Sequence, residues 1–140
     1  MSSSIRIISW NVNGIRAVIR KGCFEPFMEK YNPDILCLQE TKASEHQVEI
    51  DLPDYEEYWN SANKAGYSGT AIFTKEQPLS IHFGFLPELN KKKKLIDDQG
   101  RDVSSEGRVI TAEYKTFFVV NQYRPNAKHD LSRLRFIYKT

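Results

Sequence analysis

The 140-residue sequence predicts an α/β fold. Three observations carry that expectation: apolar runs at residues 5–9 and 35–39, a stretch of helical character between them, and a series of strand-like segments from Tyr55 onward. A strand, a helix and a second strand reached by crossover form the pattern of a βαβ unit.

Ile5 to Ser9 is rich in Ile and reads as a strand buried on both faces. After Gly14, Ile15 to Tyr31 has helical character, and Pro26 marks the expected break between two pieces. Asn32-Pro33-Asp34 is a turn into the strand Ile35 to Gln39. Ala43 to Ile50 is expected to form a short helix, ended by Asp51-Leu52-Pro53-Asp54. Strands follow at Tyr55 to Trp59, Gly69 to Phe73, Leu79 to Phe83, Arg108 to Tyr114 and Thr116 to Tyr123, the last two joined tightly enough for a hairpin. Asp130 suits the N-cap of a final helix. Residues 86–105 form a long polar loop containing Lys91-Lys92-Lys93-Lys94. Such a run suits either a solvated insertion or contacts with phosphates.

A chain of this length fits one domain, 1–140, and can bury about 68% of its unfolded surface. The net charge of +2 does not by itself imply nucleic acid, but it is unevenly spread. Residues 1–70 hold 7 Lys and Arg against 10 Asp and Glu, whereas residues 71–140 hold 13 against 8. A basic second half suits either a polyanionic partner or a solvated face. Cys23 and Cys37 are the only cysteines and have no zinc-ligand spacing. With no apolar run long enough to span a bilayer and no signal peptide, the expected setting is intracellular, cytoplasm or nucleus, without a membrane.

The chemistry concentrates at two strand ends, Ser9-Trp10-Asn11-Val12-Asn13-Gly14-Ile15-Arg16 and Asp34-Ile35-Leu36-Cys37-Leu38-Gln39-Glu40-Thr41-Lys42. Each apolar strand closes on polar side chains, and ligands of open sheets gather at strand ends. Mg²⁺ takes oxygen ligands, commonly one or two carboxylates, and keeps several waters. Glu40 taken alone reads as a surface glutamate; with Asn11, Gln39 and Lys42 around it, it reads as a metal ligand. Asn11 offers a donor and an acceptor for a metal or a phosphate oxygen, or simply forms a turn. Arg16 suits a phosphate clamp, since a guanidinium is permanently charged and forked, or an exposed helix position. Lys42 has the same two readings.

These two stretches resemble the exonuclease III family of apurinic/apyrimidinic (AP) endonucleases, within the endonuclease/exonuclease/phosphatase superfamily. The resemblance continues at Gly66-Tyr67-Ser68-Gly69, Glu106-Gly107-Arg108-Val109, Asn121-Gln122-Tyr123-Arg124-Pro125-Asn126 and Leu131-Ser132-Arg133-Leu134. It implies a four-layer α/β sandwich of two similar sheets flanked by helices. This chain is expected to supply half of it: one mixed, largely antiparallel sheet with flanking helices. The resemblance also implies a Mg²⁺-dependent DNA repair nuclease, with Mn²⁺ as the alternative ion. Such an enzyme cuts the backbone 5′ of abasic sites in DNA and trims 3′ ends. In this pattern Glu40 and Asn11 serve the metal, while Asn11, Glu40 and Tyr123 form the catalytic set. Arg16, Lys42, Tyr67, Arg108, Asn126 and Arg133 contact DNA. Asn13 stands where some relatives have Asp, so metal help there is weaker, and Glu106 is expected to structure a turn.

The family's Gly-Asp-x-Asn and Ser-Asp-His stretches, which carry the general base and further catalytic groups, do not occur here; His46, His82 and His129 never follow Ser-Asp. The chain is therefore expected to equal the N-terminal half of such an enzyme, with the inner face of its sheet uncovered. A homodimer through that face is the expected partner arrangement. Gln122, Arg124 and Ile137 depart from the family pattern, and Gln122 and Arg124 should share a face with Phe118 and Val120, opposite Tyr123. Leu131, Leu134, Ile137 and Tyr138 are spaced as one apolar helical stripe. The alternative function is a catalytically silent, self-associating half-domain. A phosphomonoesterase or phospholipase of the same superfamily is a third reading, against which the two strand-end motifs stand.

Overall fold

A computed structural model describes residues 4–84 and 106–124. The Lys-rich loop, Asn126, Asp130, Arg133 and the apolar stripe from Leu131 lie outside the described residues.

The first strand, β1, is Ile7–Asn11, followed by α1 (Ile15–Arg20), α2 (Phe24–Tyr31) and β2 (Ile35–Gln39). β3 (Glu56–Asn60), β4 (Thr70–Thr74), β5 (Ser80–Phe83), β6 (Val109–Glu113) and β7 (Phe118–Gln122) complete the order. β1 and β2 pair in parallel, as a βαβ unit requires, and every other pairing among the described residues is antiparallel. The helices part at Gly22, which has φ 68°, rather than at Pro26. Pro26 instead occupies the first turn of α2, where a missing N–H costs nothing.

Two expectations about local structure are corrected. Only one turn of 3₁₀ helix, Glu45–Gln47, forms where a helix to Ile50 was expected. Val48 leaves that turn in an extended conformation, and Val48 and Ile50 reach the core as extended chain. Among the described residues β1 is an edge strand, and it is not buried on both faces: Ile8 and Trp10 pack beneath the helices, while Ile7 is 48% exposed on the other side.

The strands form two sheets, in the orders β1, β2, β4, β3 and β5, β6, β7. One face of the four-stranded sheet buries Leu36, Leu38, Ala71 and Phe73 against Ile15 of α1 and Phe24 and Met28 of α2. Its other face buries Ile35, Cys37 and Ile72 against Ile110, Ala112 and Val119 of the three-stranded sheet. Helices, sheet and sheet are three layers of the expected sandwich. The expectation of a single sheet with an open inner face is thereby corrected. Both sheets present an apolar face, and the chain buries one against the other.

Burial alternates along β7, with Val119 and Asn121 inside and Phe118 and Val120 outside, 66% and 60% exposed. Gln122 continues the outer side, as expected from its spacing. Cys37 sits in the core between the sheets, and burial pushes its thiol up to about 11, which keeps it protonated and unreactive.

Candidate active site

Parallel pairing brings Asn11 beside Gln39 at the ends of β1 and β2. Beyond the strands the two chains stay laced: Val12 N–H donates to Gln39 O (3.0 Å), Gly14 N–H to Glu40 O (2.7 Å) and Ile15 N–H to Thr41 O (2.9 Å). The Gly66–Gly69 turn joins them, since Thr41 N–H donates to Gly69 O (3.2 Å) and Lys42 N–H to Ser68 O (2.8 Å). Asn13, Glu40, Lys42 and Ser68 all have φ between 46° and 54°, a left-handed conformation uncommon for residues other than glycine. Four such residues in adjoining loops mark a place where the surroundings fix the backbone against its preference. Gly69 is required there, because a Cβ would lie 2.2 Å from Thr41 Oγ1.

These loops carry two groups of side chains. In the first, the Tyr123 hydroxyl, just past β7, donates to a carboxylate oxygen of Glu40. Arg108 lies beside them, its Cζ 5.1 Å from the Tyr123 ring centroid and 5.7 Å from that of Tyr67. Arg108 Nη2 donates to the Tyr67 hydroxyl (2.9 Å), and its Nε donates to Glu106 Oε2 (2.5 Å). In the second group Lys42 Nζ donates to Asn13 Oδ1 (2.7 Å), and Arg16 Nη2 to Lys42 O (3.0 Å). Asn11 Oδ1 accepts from Asn13 N–H (3.1 Å).

The sequence-predicted residues Glu40, Tyr123, Tyr67 and Arg108 are thus in one hydrogen-bonded or stacked group, and Arg16, Lys42 and Asn13 in another. Asn11 stands at the adjoining strand end. Arg108 was expected on DNA, yet it is 2% exposed and ion-paired to Glu106, a placement that suits holding its neighbours. Glu106 was expected only to shape a turn and is itself buried in the group. Sequence reasoning missed Asn121, which is buried between the sheets. Its Nδ2 donates to Leu38 O (3.0 Å) and Ala71 O (2.8 Å), and its Oδ1 accepts from Gln39 Nε2 (2.8 Å). The available signal was its place two residues before Tyr123, on the inward face of an apolar strand.

Burial, the Glu40 hydrogen bond and the Glu40 charge raise the Tyr123 phenol to about 12, against a smaller downward pull from Arg108. Tyr123 therefore stays a donor throughout the neutral range. The unfolded phenol ionises near 10, so between 10 and about 12 the folded state binds more protons and stability falls as pH rises. Urea midpoints measured across that window should decline more steeply for the native chain than for Tyr123→Phe.

Among the described residues no group of three or more His, Cys, Asp or Glu side chains converges. Glu40 contributes one carboxylate, half-buried, with a single oxygen engaged by Tyr123, and Asn11 an exposed amide. A sparse set of oxygen donors fits a hard divalent cation that keeps most of its waters.

The model of the endonuclease/exonuclease/phosphatase family matches residues 8–137. An exodeoxyribonuclease of Bacillus subtilis (strain 168) is 42% identical over 132 residues, covering 94% of this chain and 47% of that protein. The DNA repair nuclease APEX1 of Danio rerio is 41% identical over 140 residues, covering 96% of this chain and 41% of that protein. The chain thus spans less than half the length of these curated relatives. Among solved structures, the 3′ phosphatase NExo from Neisseria bound to a product DNA hairpin is 27% identical with a TM-score of 0.70, over 97% of this chain and 47% of that one. AP endonuclease LMAP from Leishmania major is 29% identical with a TM-score of 0.68, over 95% and 44%. Among the described residues no helix is long and apolar enough to cross a membrane. With a match over nearly its whole length and the laced strand ends in place, the chain belongs to the endonuclease/exonuclease/phosphatase family.

Proposed function

We propose that this chain carries part of the active site of a Mg²⁺-dependent DNA repair nuclease that cuts the backbone 5′ of an abasic site and trims 3′ ends. The observation that carries this reading is the hydrogen bond from Tyr123 to Glu40, which joins residues 83 apart in sequence at the ends of strands from different sheets. A strand tyrosine and a surface glutamate with only packing roles have no reason to meet there.

Glu40 and Asn11 would hold the ion, with Mn²⁺ able to replace Mg²⁺. When bound, the ion supplies positive charge against the negative charge that develops on the phosphoryl oxygens. The side chains do the rest. Tyr123 fixes the Glu40 carboxylate by donating one hydrogen bond to it. Lys42 and Arg16, anchored beside Asn13, present positive charge to the phosphate, and Tyr67 leans on the DNA. By resemblance the general base belongs to a Gly-Asp-x-Asn stretch that this sequence lacks. The chain is therefore expected to bind metal and DNA, and to turn over only when another segment or protomer supplies the base.

A second reading, a self-associating half-domain without activity, is favoured by one observation: Phe118 and Val120 stand side by side on the outer face of β7, largely exposed. Light scattering combined with an abasic-site nicking assay in Mg²⁺ separates the two. Nicking that follows the protein peak and is lost in Glu40→Gln supports the nuclease, whereas a dimer without nicking supports the half-domain. Glu40→Gln should also weaken Mg²⁺ or Mn²⁺ binding by about tenfold, measured by calorimetry; unchanged affinity removes Glu40 from the site.

A further inference from the structure

We propose that Glu106 is a positioning residue for Glu40: its carboxylate holds the buried Arg108 guanidinium between the rings of Tyr67 and Tyr123 and thereby fixes the Tyr123 hydroxyl on Glu40. The inference rests on the reading of Glu40 as a metal ligand and extends it to Glu106, which acts through Arg108 and Tyr123.

A guanidinium that is 2% exposed must be paired, because an isolated buried charge is costly. Glu106, 7% exposed, accepts from Arg108 Nε at 2.5 Å and forms an ion pair with Nη2. Its second oxygen accepts from the Tyr67 hydroxyl at 3.4 Å, and that hydroxyl accepts from Arg108 Nη2 at 2.9 Å. Glu106, Arg108 and Tyr67 thus form a closed triangle, and the planar cation it holds lies 5.1 Å from the Tyr123 ring centroid. The Tyr123 ring is steadied by that cation and points its hydroxyl at Glu40.

Charge makes the same device necessary. Arg108 lies within one tyrosine ring of the Glu40 carboxylate. Without Glu106 to hold it, the guanidinium could turn toward Glu40, and an arginine on Glu40 would compete with a divalent cation for the same oxygens. Glu106 commits the arginine elsewhere and leaves Glu40 available. A fixed, forked cation suits this task, whereas a lysine would turn to Glu40 freely.

Mn²⁺ binding to the full 140-residue chain, followed by electron paramagnetic resonance of the free ion, tests the proposal alongside the NMR signal of the Arg108 Nε–Hε group, which its two flanking rings should displace. Glu106→Gln, checked for folding by circular dichroism, should bind Mn²⁺ about tenfold more weakly and lose the ring-current displacement of Arg108. A folded Glu106→Gln chain with native Mn²⁺ affinity and a native Arg108 signal overturns the proposal. Should that variant fail to fold, Glu106→Gln combined with Arg108→Met removes both charges and should restore folding while leaving Mn²⁺ affinity several-fold below native. Native affinity in the double variant would mean that Glu106 acts only by keeping the arginine off Glu40 and does not position Tyr123, and would overturn the proposal equally. If Glu40→Gln binds Mn²⁺ as the native chain does, the metal reading fails, and the Arg108 signal in Glu106→Gln then decides whether Glu106 positions Tyr123.

Discussion

Gly107→Ala should lower the unfolding midpoint by ~10–20 °C, the thermal equivalent of ~3–5 kcal/mol in a chain of this size. Two costs combine. Gly107 has φ 61°, where an added Cβ strains the backbone by ~1 kcal/mol. The new methyl would also lie 2.4 Å from Asn60 O and 2.7 Å from Ala62 N and Ser61 C. All three are backbone atoms of the segment leaving β3, and they cannot yield as a flexible side-chain end would. The chain there is further fixed because Thr70 Oγ1 donates to Gly107 O (3.1 Å) and Asn60 Nδ2 to Val109 O (2.9 Å). Gly66→Ala is the matched control: its φ of 69° is as unfavourable, but nothing lies within 4 Å of its Cβ position. It should cost only ~1 kcal/mol in the same thermal scan. Equal losses in the two variants would show that the close approach at Gly107 is relieved by a backbone shift. Because Gly107 separates Glu106 from Arg108, its substitution should also disturb the Tyr123 group.

Most strands were legible because local patterning suffices for them: the runs read as strands at 35–39, 69–73, 108–114 and 116–123 form strands Ile35–Gln39, Thr70–Thr74, Val109–Glu113 and Phe118–Gln122. The turn at Asn32 was legible too, and the structure supplies its mechanism, an αL C-cap whose N–H donates to Met28 O (2.8 Å). What local pattern does not encode is which faces meet. Ile35, Cys37 and Ile72 read as strand residues from sequence, but nothing in their own segments says that Ile110, Ala112 and Val119 will cover them. The same holds for β1, whose Ile-rich run resembles a central strand although its position among the described residues is an edge. At the site, Glu40 and Lys42 stood out because their residue types at a strand end suit metal and phosphate chemistry, whereas Tyr123 stood out only through the family resemblance. The burial of Arg108 and Glu106 was not legible for a physical reason: charged residues are expected at the surface, and only their mutual pairing permits burial. The shape of the Ala43–Ile50 segment was missed because burial of Val48 and Ile50 in extended form outweighs a weak helical preference.

Asn121→Leu should destabilise the fold by ~2–4 kcal/mol, although leucine has nearly the same volume and the site is apolar around it. Asn121 is 2% exposed and spans the gap between the sheets, donating to Leu38 O and Ala71 O and accepting from Gln39 Nε2. A leucine supplies none of these bonds and leaves the Gln39 amide without its inter-sheet acceptor. Since Asn121 and Tyr123 extend from the same strand end, the loss should loosen the Tyr123 contact with Glu40 as well as the sheet packing. Asn121→Asp sharpens the test because it keeps the shape and changes only the donors. Its carboxylate can face the two carbonyl oxygens only when protonated, so its folded pKa should rise well above the unfolded value of about 3.9. Below that value both states are protonated and the variant should come closest to native stability, short of it because the acid has one hydrogen to donate where the amide has two. As pH rises the unfolded chain releases its proton first, so the folded state binds more protons and stability falls until the folded pKa is passed. Urea midpoints taken from pH 4 to 8 should therefore show Asn121→Asp diverging downward from the native chain, while the deficit of Asn121→Leu stays constant. A pH-independent deficit in both would mean that the two carbonyls do not need the amide's hydrogens, and that the sheets are held by apolar packing alone.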